Sequence, residues 1–177
     1  HFFRMHDSEL SRFETTTLPQ TELESLGTLE TNGGAIAVVR QRIISSTLST
    51  IIDSISDSTL ILGLDAINDP GNLGTILRIA DWYGISHVVA SPTTVDFYNP
   101  KVILASMGSF LRVRVVYAEL APTLRTLQEK HMHIYVTAMS GTSLHTLSHI
   151  EPGIIVMGSE SHGVSKDVMS LANSLIS

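Results

Sequence analysis

Residues 68–85, NDPGNLGTILRIADWYGI, place a turn-rich loop directly after an apolar run and before an amphipathic segment. Pro70 and Gly71 fit the central positions of a tight turn, and Asn72 can then cap the helix that follows. Neither the turn nor the cap requires the arginine at position 78. On the second turn of such a helix, its fixed fork of donors suits a phosphate group. The pattern therefore predicts an anion contact by Arg78, with a solvated or salt-bridged arginine as the alternative.

A second polar loop, residues 158–163 (GSESHG), follows another apolar run and precedes a predicted helix from about Ser165. Its two glycines permit close approach between the backbone and a ligand, and the carboxylate of Glu160 can orient a polar partner. The alternative is a polar turn between a strand and a helix, with Glu160 exposed. His162 fits an exposed loop histidine better than a base. On pattern alone, both interpretations of the loop stay open.

Several familiar catalytic motifs are absent from the sequence. A nucleophile elbow requires G-x-S-x-G, whereas the third position of the second loop is Glu160. Neither GxGxxG nor GxxxxGK[ST] occurs, which disfavours a Rossmann dehydrogenase and a P-loop NTPase. Zero cysteines exclude disulfides and thiolate metal sites, and the eight histidines form no HExxH pair. No metal site is therefore predicted.

Polar groups also gather in residues 93–109, TTVDFYNPKVILASMGS. Asn99 can cap a helix whose first position is Pro100, because proline has no N–H to lose there. Small residues near the end of this segment permit close packing. The polar side chains around the helix start are Asp96, Tyr98 and Lys101. A helix packed tightly on a sheet explains the segment as well as a ligand contact does.

Short β-branched or aliphatic runs alternate with helix-length segments from Thr59 onward. The predicted strands are residues 59–65, 87–91, 112–118, 133–139 and 153–159, and the predicted helices are 73–83, 100–110 and 123–131. Because a parallel crossover needs a helix to return the chain, this order predicts an α/β domain with a mostly parallel sheet and helices on both faces. Ligands bind beyond the carboxyl ends of the strands in such domains. Chemistry is therefore expected in the loops after Asp65, Ser91, Met139 and Ser159.

The chain before Thr59 is less regular. Residues 35–39 (AIAVV) follow a turn signal and predict a strand. Residues 41–58 are rich in Ser and Thr, with isoleucines at near-helical spacing, and predict a helical or irregular connector. A domain boundary is expected inside this connector.

Composition places the protein among globular chains. It has 177 residues, of which 43% are hydrophobic, enough for one domain and part of a second. No apolar run approaches the roughly 18 residues of a membrane span, and the first residues lack the features of a secretory signal, so a cytoplasmic location is expected. A net charge of −6 argues weakly against wholesale coating by nucleic acid, although a local basic pocket is compatible with RNA.

Three motifs in order carry a family resemblance: NDPGNLGTILRIADWYGI, then SPTTVDFYNPKVILASMGS, then GIIVMGSESHGVS. Together they resemble the SpoU (TrmH) group of the SPOUT superfamily, which comprises S-adenosylmethionine-dependent RNA ribose 2'-O-methyltransferases. The resemblance covers about residues 59–177. It implies a SPOUT-type methyltransferase domain with a trefoil knot, RNA as substrate and S-adenosylmethionine as cofactor.

The resemblance also implies a domain organisation. Residues 22–40 are similar to the segment that joins an N-terminal RNA-binding domain to the catalytic domain in larger members. We therefore expect residues 1–45 to be the remnant of an RNA substrate-binding domain with its linker. Residues 46–177 would be the SpoU-type methyltransferase domain.

Three site residues follow from the resemblance by position. Asn72 and Arg78 occupy the asparagine and arginine of the first motif, and Glu160 occupies the glutamate of the second. In the family the arginine lies beside the target ribose, whose 2'-hydroxyl attacks the methyl carbon in line. A positioning role suits Arg78 better than a base role, because a guanidinium with a pKa above about 12 rarely gives up its proton. Asn72 and Glu160 would hold this arginine and the loops in register.

The cofactor's adenosine is expected against the backbone after the strand ending at Met139 and around Gly158. The implied cofactor-binding residues are Ala138, Met139, Gly158 and Ser159. Two positions depart from the family pattern. Leu104 stands where many relatives carry a basic residue, and Ser161 stands where glycine is common.

The third family motif is an Ile-Pro turn followed by a Ser-Leu-Asn helix, which is threaded to form the knot. It is not found before Ser177, where the sequence shows a helix followed by the start of a strand. We therefore expect a longer protein, of which this methyltransferase domain is C-terminally incomplete.

The favoured function is methyl transfer to RNA by a homodimer, with rRNA favoured over tRNA because the N-terminal segment resembles that of the larger members. One alternative is a non-catalytic RNA-binding relative that has lost the cofactor site. A further alternative is an α/β enzyme that holds a nucleotide or phosphate at Asn72 and the following helix.

Overall fold

The computed structural model describes residues 12–26, 35–41, 48–53, 55–56, 59–146 and 149–177. The chain forms two compact units, residues 1–41 and residues 42–177. The domain boundary expected at position 45 lies outside the described residues.

The first unit contains one described helix, α1 (Gln20–Leu26), which has no buried residue. Residues 35–41 adopt no secondary structure, so the predicted strand at 35–39 is wrong. Its apolar side chains are exposed, with Val38 at 98%. A strand needs a neighbour to satisfy its backbone groups, and no described residue pairs with this segment.

The second unit is built on a six-stranded sheet. The strands are β1 (Leu60–Asp65), β2 (His87–Ala90), β3 (Arg114–Tyr117), β4 (His133–Thr142), β5 (Gly153–Gly158) and β6 (Ser174–Ile176). Their order across the sheet is β3-β2-β1-β5-β4-β6, and all five pairs of neighbours are parallel. The prediction of a mostly parallel sheet is confirmed.

Helices cover both faces of this sheet. They are α2 (Leu48–Asp53), α3 (Pro70–Trp82), α4 (Pro100–Ala105), α5 (Leu120–Glu129) and α6 (Lys166–Met169), with short 3-10 helices at Ser109–Leu111 and Leu144–Thr146. One core contains α2, α5 and α6 side chains packed on the strands, including Ile51, Leu124 and Val168. The opposite core contains α3 and α4 side chains, including Leu73, Leu77 and Val102. Burial on two faces explains why the strands read as continuous apolar runs.

The helix boundaries differ from the predicted ones for local reasons. Helix α4 has the expected cap, because the Asn99 side chain accepts a hydrogen bond from the Lys101 N–H at 2.9 Å. It ends at Ala105 rather than at position 110. Met107 and Gly108 have φ values of 51° and 91°, which a right-handed helix cannot accommodate.

The order of the strands fixes where a ligand site can form. From β1 the chain proceeds to β2 and β3 on one side, then crosses to β4 and returns to β5 on the other side. The reversal therefore lies between β1 and β5, where Asp65 is the register partner of Gly158. In open α/β sheets the crevice beyond the carboxyl ends of such a strand pair is the usual ligand site.

In the described part of the chain, no helix is long and apolar enough to cross a membrane.

Candidate active site

Helix α3 begins earlier than the sequence suggested. The Asn72 side chain is therefore not used as the helix cap and can make another contact. Asp69 is the N-cap, and its side chain accepts a hydrogen bond from the Asn72 N–H at 2.8 Å. The predicted turn at Pro70 and Gly71 is wrong, as is the predicted cap at Asn72. Pro70 occupies the first helical position, where its fixed φ and missing N–H cost nothing.

The Asn72 side chain joins the two polar loops. Its Nδ2 donates a hydrogen bond to Glu160 Oε1 at 3.0 Å, across 88 positions of sequence. The bond connects the first turn of α3, after β1, with the loop after β5. Two residues from separate motifs therefore meet at the reversal of strand order.

The loop that carries Glu160 is closed at its neck. Gly163 donates its N–H to the Ser159 carbonyl at 2.8 Å, and the two residues form an antiparallel bridge. A Cβ on Gly158 would lie 2.1 Å from the Gly163 carbonyl carbon, so only glycine fits there. His162 is exposed, and its Nδ1 bonds the neighbouring Ser161 hydroxyl at 2.7 Å. The prediction that His162 is an exposed loop histidine agrees with this position.

Two buried hydroxyl groups support the segment after β1. Ser91 Oγ accepts a hydrogen bond from the Ala66 N–H at 2.9 Å, and Thr94 Oγ1 accepts one from the Ile67 N–H at 3.3 Å. Ala66 has a φ of 56°, a conformation that a residue with a Cβ adopts only under constraint. These hydroxyls hold that conformation and so fix the approach to α3. The loop after Ser91 was predicted to take part in the chemistry, whereas the structure gives its hydroxyls this supporting role.

A cavity of about 450 Å³ lies between the two loops. Its lining residues come from residues 67–76, after β1, and from residues 157–161, at the end of β5. Asn72, Gly158, Ser159 and Glu160 are all among them. Four residues that the sequence resemblance singled out therefore share one cavity.

Arg78 lies apart from this group. It is exposed and makes no hydrogen bond or ion pair with another described residue. Six residues after Asn72 on a helix of 3.6 residues per turn, it projects roughly a third of a turn away. The expected contact that would let Asn72 and Glu160 hold this arginine does not form among the described residues.

Ala138 and Met139 also lie outside the cavity. The predicted strand end at Met139 is wrong, because β4 continues to Thr142. Strand β6 causes the extension: Ile176 pairs with both Thr137 and Thr142 across an irregular register. Met139 lies within this irregular stretch, where its side chain is fully exposed.

A further polar contact fixes the loop between β2 and α4. The Tyr117 hydroxyl donates to the Val95 carbonyl at 2.6 Å and accepts from the Phe97 N–H at 2.8 Å. Burial, together with the negative charge of Asp96, raises the pKa of Tyr117 to about 12. The phenol therefore stays neutral and holds this loop, which in turn carries Thr94.

The described residues contain no group of three or more His, Asp or Glu side chains that could hold a metal ion.

Comparison with known proteins identifies the family. The sequence profile of the SpoU rRNA Methylase family matches residues 59–177, a segment that contains the whole cavity. The chain belongs to this family. The six-stranded parallel sheet agrees with the SPOUT methyltransferase architecture of solved SpoU structures. The trefoil knot remains a prediction.

Three SpoU relatives illustrate the match. The 23S rRNA (guanosine(2553)-2'-O)-methyltransferase RlmP of Bacillus subtilis (strain 168) is 31% identical over 113 residues, which are 63% of this chain and 46% of that protein. A TrmH-family structure from Porphyromonas gingivalis is 37% identical with a TM-score of 0.64, covering 68% of this chain and 50% of its own. The AdoMet-bound rRNA methyltransferase of Sinorhizobium meliloti is 27% identical with a TM-score of 0.62, covering 68% and 47%. The chain spans about half the length of the relatives it matches.

Proposed function

We propose that this protein transfers a methyl group from S-adenosylmethionine to a ribose 2'-hydroxyl of RNA, with rRNA favoured over tRNA. The observation that carries the proposal is the Asn72–Glu160 hydrogen bond, which brings the first and second motifs together at one cavity. Family membership supports the reaction class, and the names of several relatives support rRNA.

The cavity fits the cofactor in size and backbone access. A volume of about 450 Å³ is within the range of roughly 300–1,000 Å³ that is common for sites of small molecules. Gly158 and Ser159 present the backbone end of β5 to it, without a side chain at Gly158. S-adenosylmethionine, when bound, supplies an electrophilic methyl group. Gly158 and Ser159, which line the cavity, are the residues proposed to hold its adenosine. Ala138 and Met139, on the neighbouring strand β4 and outside the cavity, are proposed as further cofactor contacts from the family resemblance alone.

Arg78 is proposed to position the target nucleotide. An exposed guanidinium without a partner among the described residues suits a phosphate of the RNA, which it can bind through two parallel N–H donors. Asn72 and Glu160 keep the two loops at a fixed separation. The proton of the ribose hydroxyl is not assigned to Arg78, because a guanidinium is a poor base.

Methyl transfer tests the proposal directly. Transfer of labelled methyl groups from S-adenosylmethionine to unmodified 23S rRNA and tRNA transcripts is measured for the wild type and for Arg78→Ala. We expect label in the rRNA with wild type, none with Arg78→Ala, and cofactor affinity by titration within a few fold in both. Arg125→Ala, on the opposite face of the sheet, is the matched control and should behave as wild type.

One result would overturn this function, and another would overturn the role of Arg78. RNA binding by the wild type without cofactor binding would indicate the non-catalytic relative. Wild-type turnover by Arg78→Ala would remove this arginine from the reaction.

The finer organisation is part of the proposal. Residues 1–45 are proposed to be the end of an RNA substrate-binding domain, supported by the separate compact unit at residues 1–41. A homodimer is supported by exposed apolar side chains along α3 and just beyond it, namely Ile79, Trp82 and Tyr83. A cytoplasmic location is also proposed, supported by the bacterial rRNA methyltransferases among the relatives.

A further inference from the structure

Asp65 is a buried carboxylate that the proposed reaction does not use. It is the last residue of β1 and is only 8% exposed. It does not line the cavity, yet it lies at the reversal of strand order as the register partner of Gly158. Burial of a carboxylate is costly unless hydrogen bonds compensate it. A residue of this kind at this place requires an explanation.

Among the described residues, the Asp65 side chain makes one hydrogen bond, to the segment that follows β5. Asp65 Oδ2 accepts the backbone N–H of Ser165 at 2.8 Å, over 100 positions of sequence. Ser165 is the N-cap of α6, and its own side chain makes no capping bond. The contact therefore joins the end of β1 to the start of α6.

The residues that flank the Glu160 loop on both sides consequently contact Asp65. The loop, residues 159–164, starts after Gly158, which pairs with Asp65 in the sheet. It ends just before Ser165, whose N–H donates a hydrogen bond to the Asp65 side chain. The Ser159–Gly163 bond closes the neck of the loop, but it does not attach the loop to β1. The carboxylate supplies that attachment at the base, and Glu160 reaches Asn72 at the tip.

We propose that Asp65 is a positioning residue that clamps loop 159–164, so that Glu160 meets Asn72 at the mouth of the cavity. The inference deepens the proposed function, because the site that it positions is the one assigned to methyl transfer. The clamp itself is a structural claim and is testable without that function.

Two substitutions remove the clamp from opposite sides. Asp65→Ala deletes the acceptor. Ser165→Pro deletes the donor, and the φ of −61° at Ser165 suits proline. Asp65→Asn keeps an acceptor oxygen of the same shape and should restore the contact. Asp81→Ala, which removes the ion pair between the C-terminal end of α3 and Arg112, is the control.

Hydrogen exchange of the loop amides measures the clamp. In Asp65→Ala and Ser165→Pro, exchange at the amides of residues 160–164 should accelerate about tenfold or more, since a local opening becomes easier. Asp65→Asn and Asp81→Ala should match the wild type there. Unchanged exchange in the first two variants would overturn the clamp. If Asp65→Ala does not fold by circular dichroism, the Ser165→Pro and Asp65→Asn pair decides the question.

Single-turnover methyl transfer to a 23S rRNA transcript measures the positioning role. Asp65→Ala should slow the transfer step roughly tenfold, because misplacement of a site loop raises the barrier, while affinity for the transcript stays within a few fold. Asp65→Asn should recover most of the rate. A faster-exchanging loop with an unchanged rate would overturn the positioning role. If the wild type methylates no RNA, the proposed function fails, and the exchange data still decide the clamp.

Discussion

At the scale of single residues, the site depends on one hydrogen bond between side chains from different motifs. Asn72 and Glu160 reach each other only because Asp69 and Pro70 start α3 two residues before Asn72. A helix that began at Asn72 itself would use that side chain as a cap. The position of one proline therefore decides whether the two motifs can touch.

A double-mutant cycle should detect this bond. Asn72→Ala, Glu160→Ala and the double variant are compared by urea unfolding. Because the bond is charge-assisted but exposed, we expect a coupling free energy of about 0.5–1 kcal/mol. If the changes in unfolding free energy of the two single variants add up to that of the double variant, the two side chains do not interact in solution. Ser161→Ala, one position along the loop, should show no coupling to Asn72→Ala.

Ionisation of Tyr117 should lower the stability of the folded protein at alkaline pH. Its pKa is raised from 10.0 to about 12 by burial, so the folded state holds the phenolic proton more tightly than the unfolded state does. The stabilisation is complete below about pH 10 and is lost as the pH rises through about 12. Urea midpoints of the wild type should therefore fall across this window relative to those of Tyr117→Phe.

Equal pH dependence in the wild type and Tyr117→Phe would contradict the assignment to Tyr117.

At the scale of elements, close packing of α3 on α4 depends on Gly74. A Cβ at this position would lie 2.5 Å from the Ala105 Cβ and 2.9 Å from the backbone of α4. Alanine normally stabilises a helix by about 1 kcal/mol relative to glycine. At position 74 the steric clash should make alanine destabilising relative to glycine.

Gly74→Ala is expected to destabilise the protein by roughly 1–3 kcal/mol, as overpacking usually does. Chemical unfolding measures the change. Combining it with Ala105→Gly should recover much of the loss, since that substitution removes the nearest atom. Thr75→Ala, at an exposed position of the same helix, should be neutral or stabilising; a stabilising Gly74→Ala would refute the packing account.

The elements also show what the sequence could and could not predict. The central strands were predicted because β-branched runs buried on both faces have a simple signature, as in residues 153–159. The extension of β4 to Thr142 was not predicted, because it depends on pairing with β6 rather than on the local sequence pattern. The segment at 35–39 had the composition of a strand but has no pairing partner among the described residues.

For the site, pattern alone left the polar loops open between turns and ligand contacts. The family resemblance selected Asn72, Glu160, Gly158 and Ser159, which the structure brings to one cavity. The supporting contacts of Asp65, Ser91 and Thr94 were missed. Each depends on a hydrogen bond to a residue far away in the sequence, and no local pattern encodes it.

At the scale of the whole molecule, the exposed end of α3 bears on assembly. Trp82 is 85% exposed and follows Ile79 on the same helix. Large aromatic side chains at the centre of an interface often dominate its energy. If α3 contributes to a homodimer, Trp82→Asp should weaken association at least about tenfold by sedimentation velocity.

Trp82→Phe should keep the dimer, and Ile150→Asp, at another exposed apolar position, should not affect it. A monomeric wild type at micromolar concentration would exclude this interface.

The order of the strands also has a consequence for how the protein folds during synthesis. Strand β5 inserts between β1 and β4, although β2, β3 and β4 all precede it in the chain. The contacts that build the cavity join residues 88 and 100 positions apart, and such distant pairings carry a high entropic cost of loop closure. A ribosome must therefore release the chain past Ser165 before any cavity exists. Until then the nascent protein exposes the open edge of β1, and such an unpaired edge is prone to aggregation.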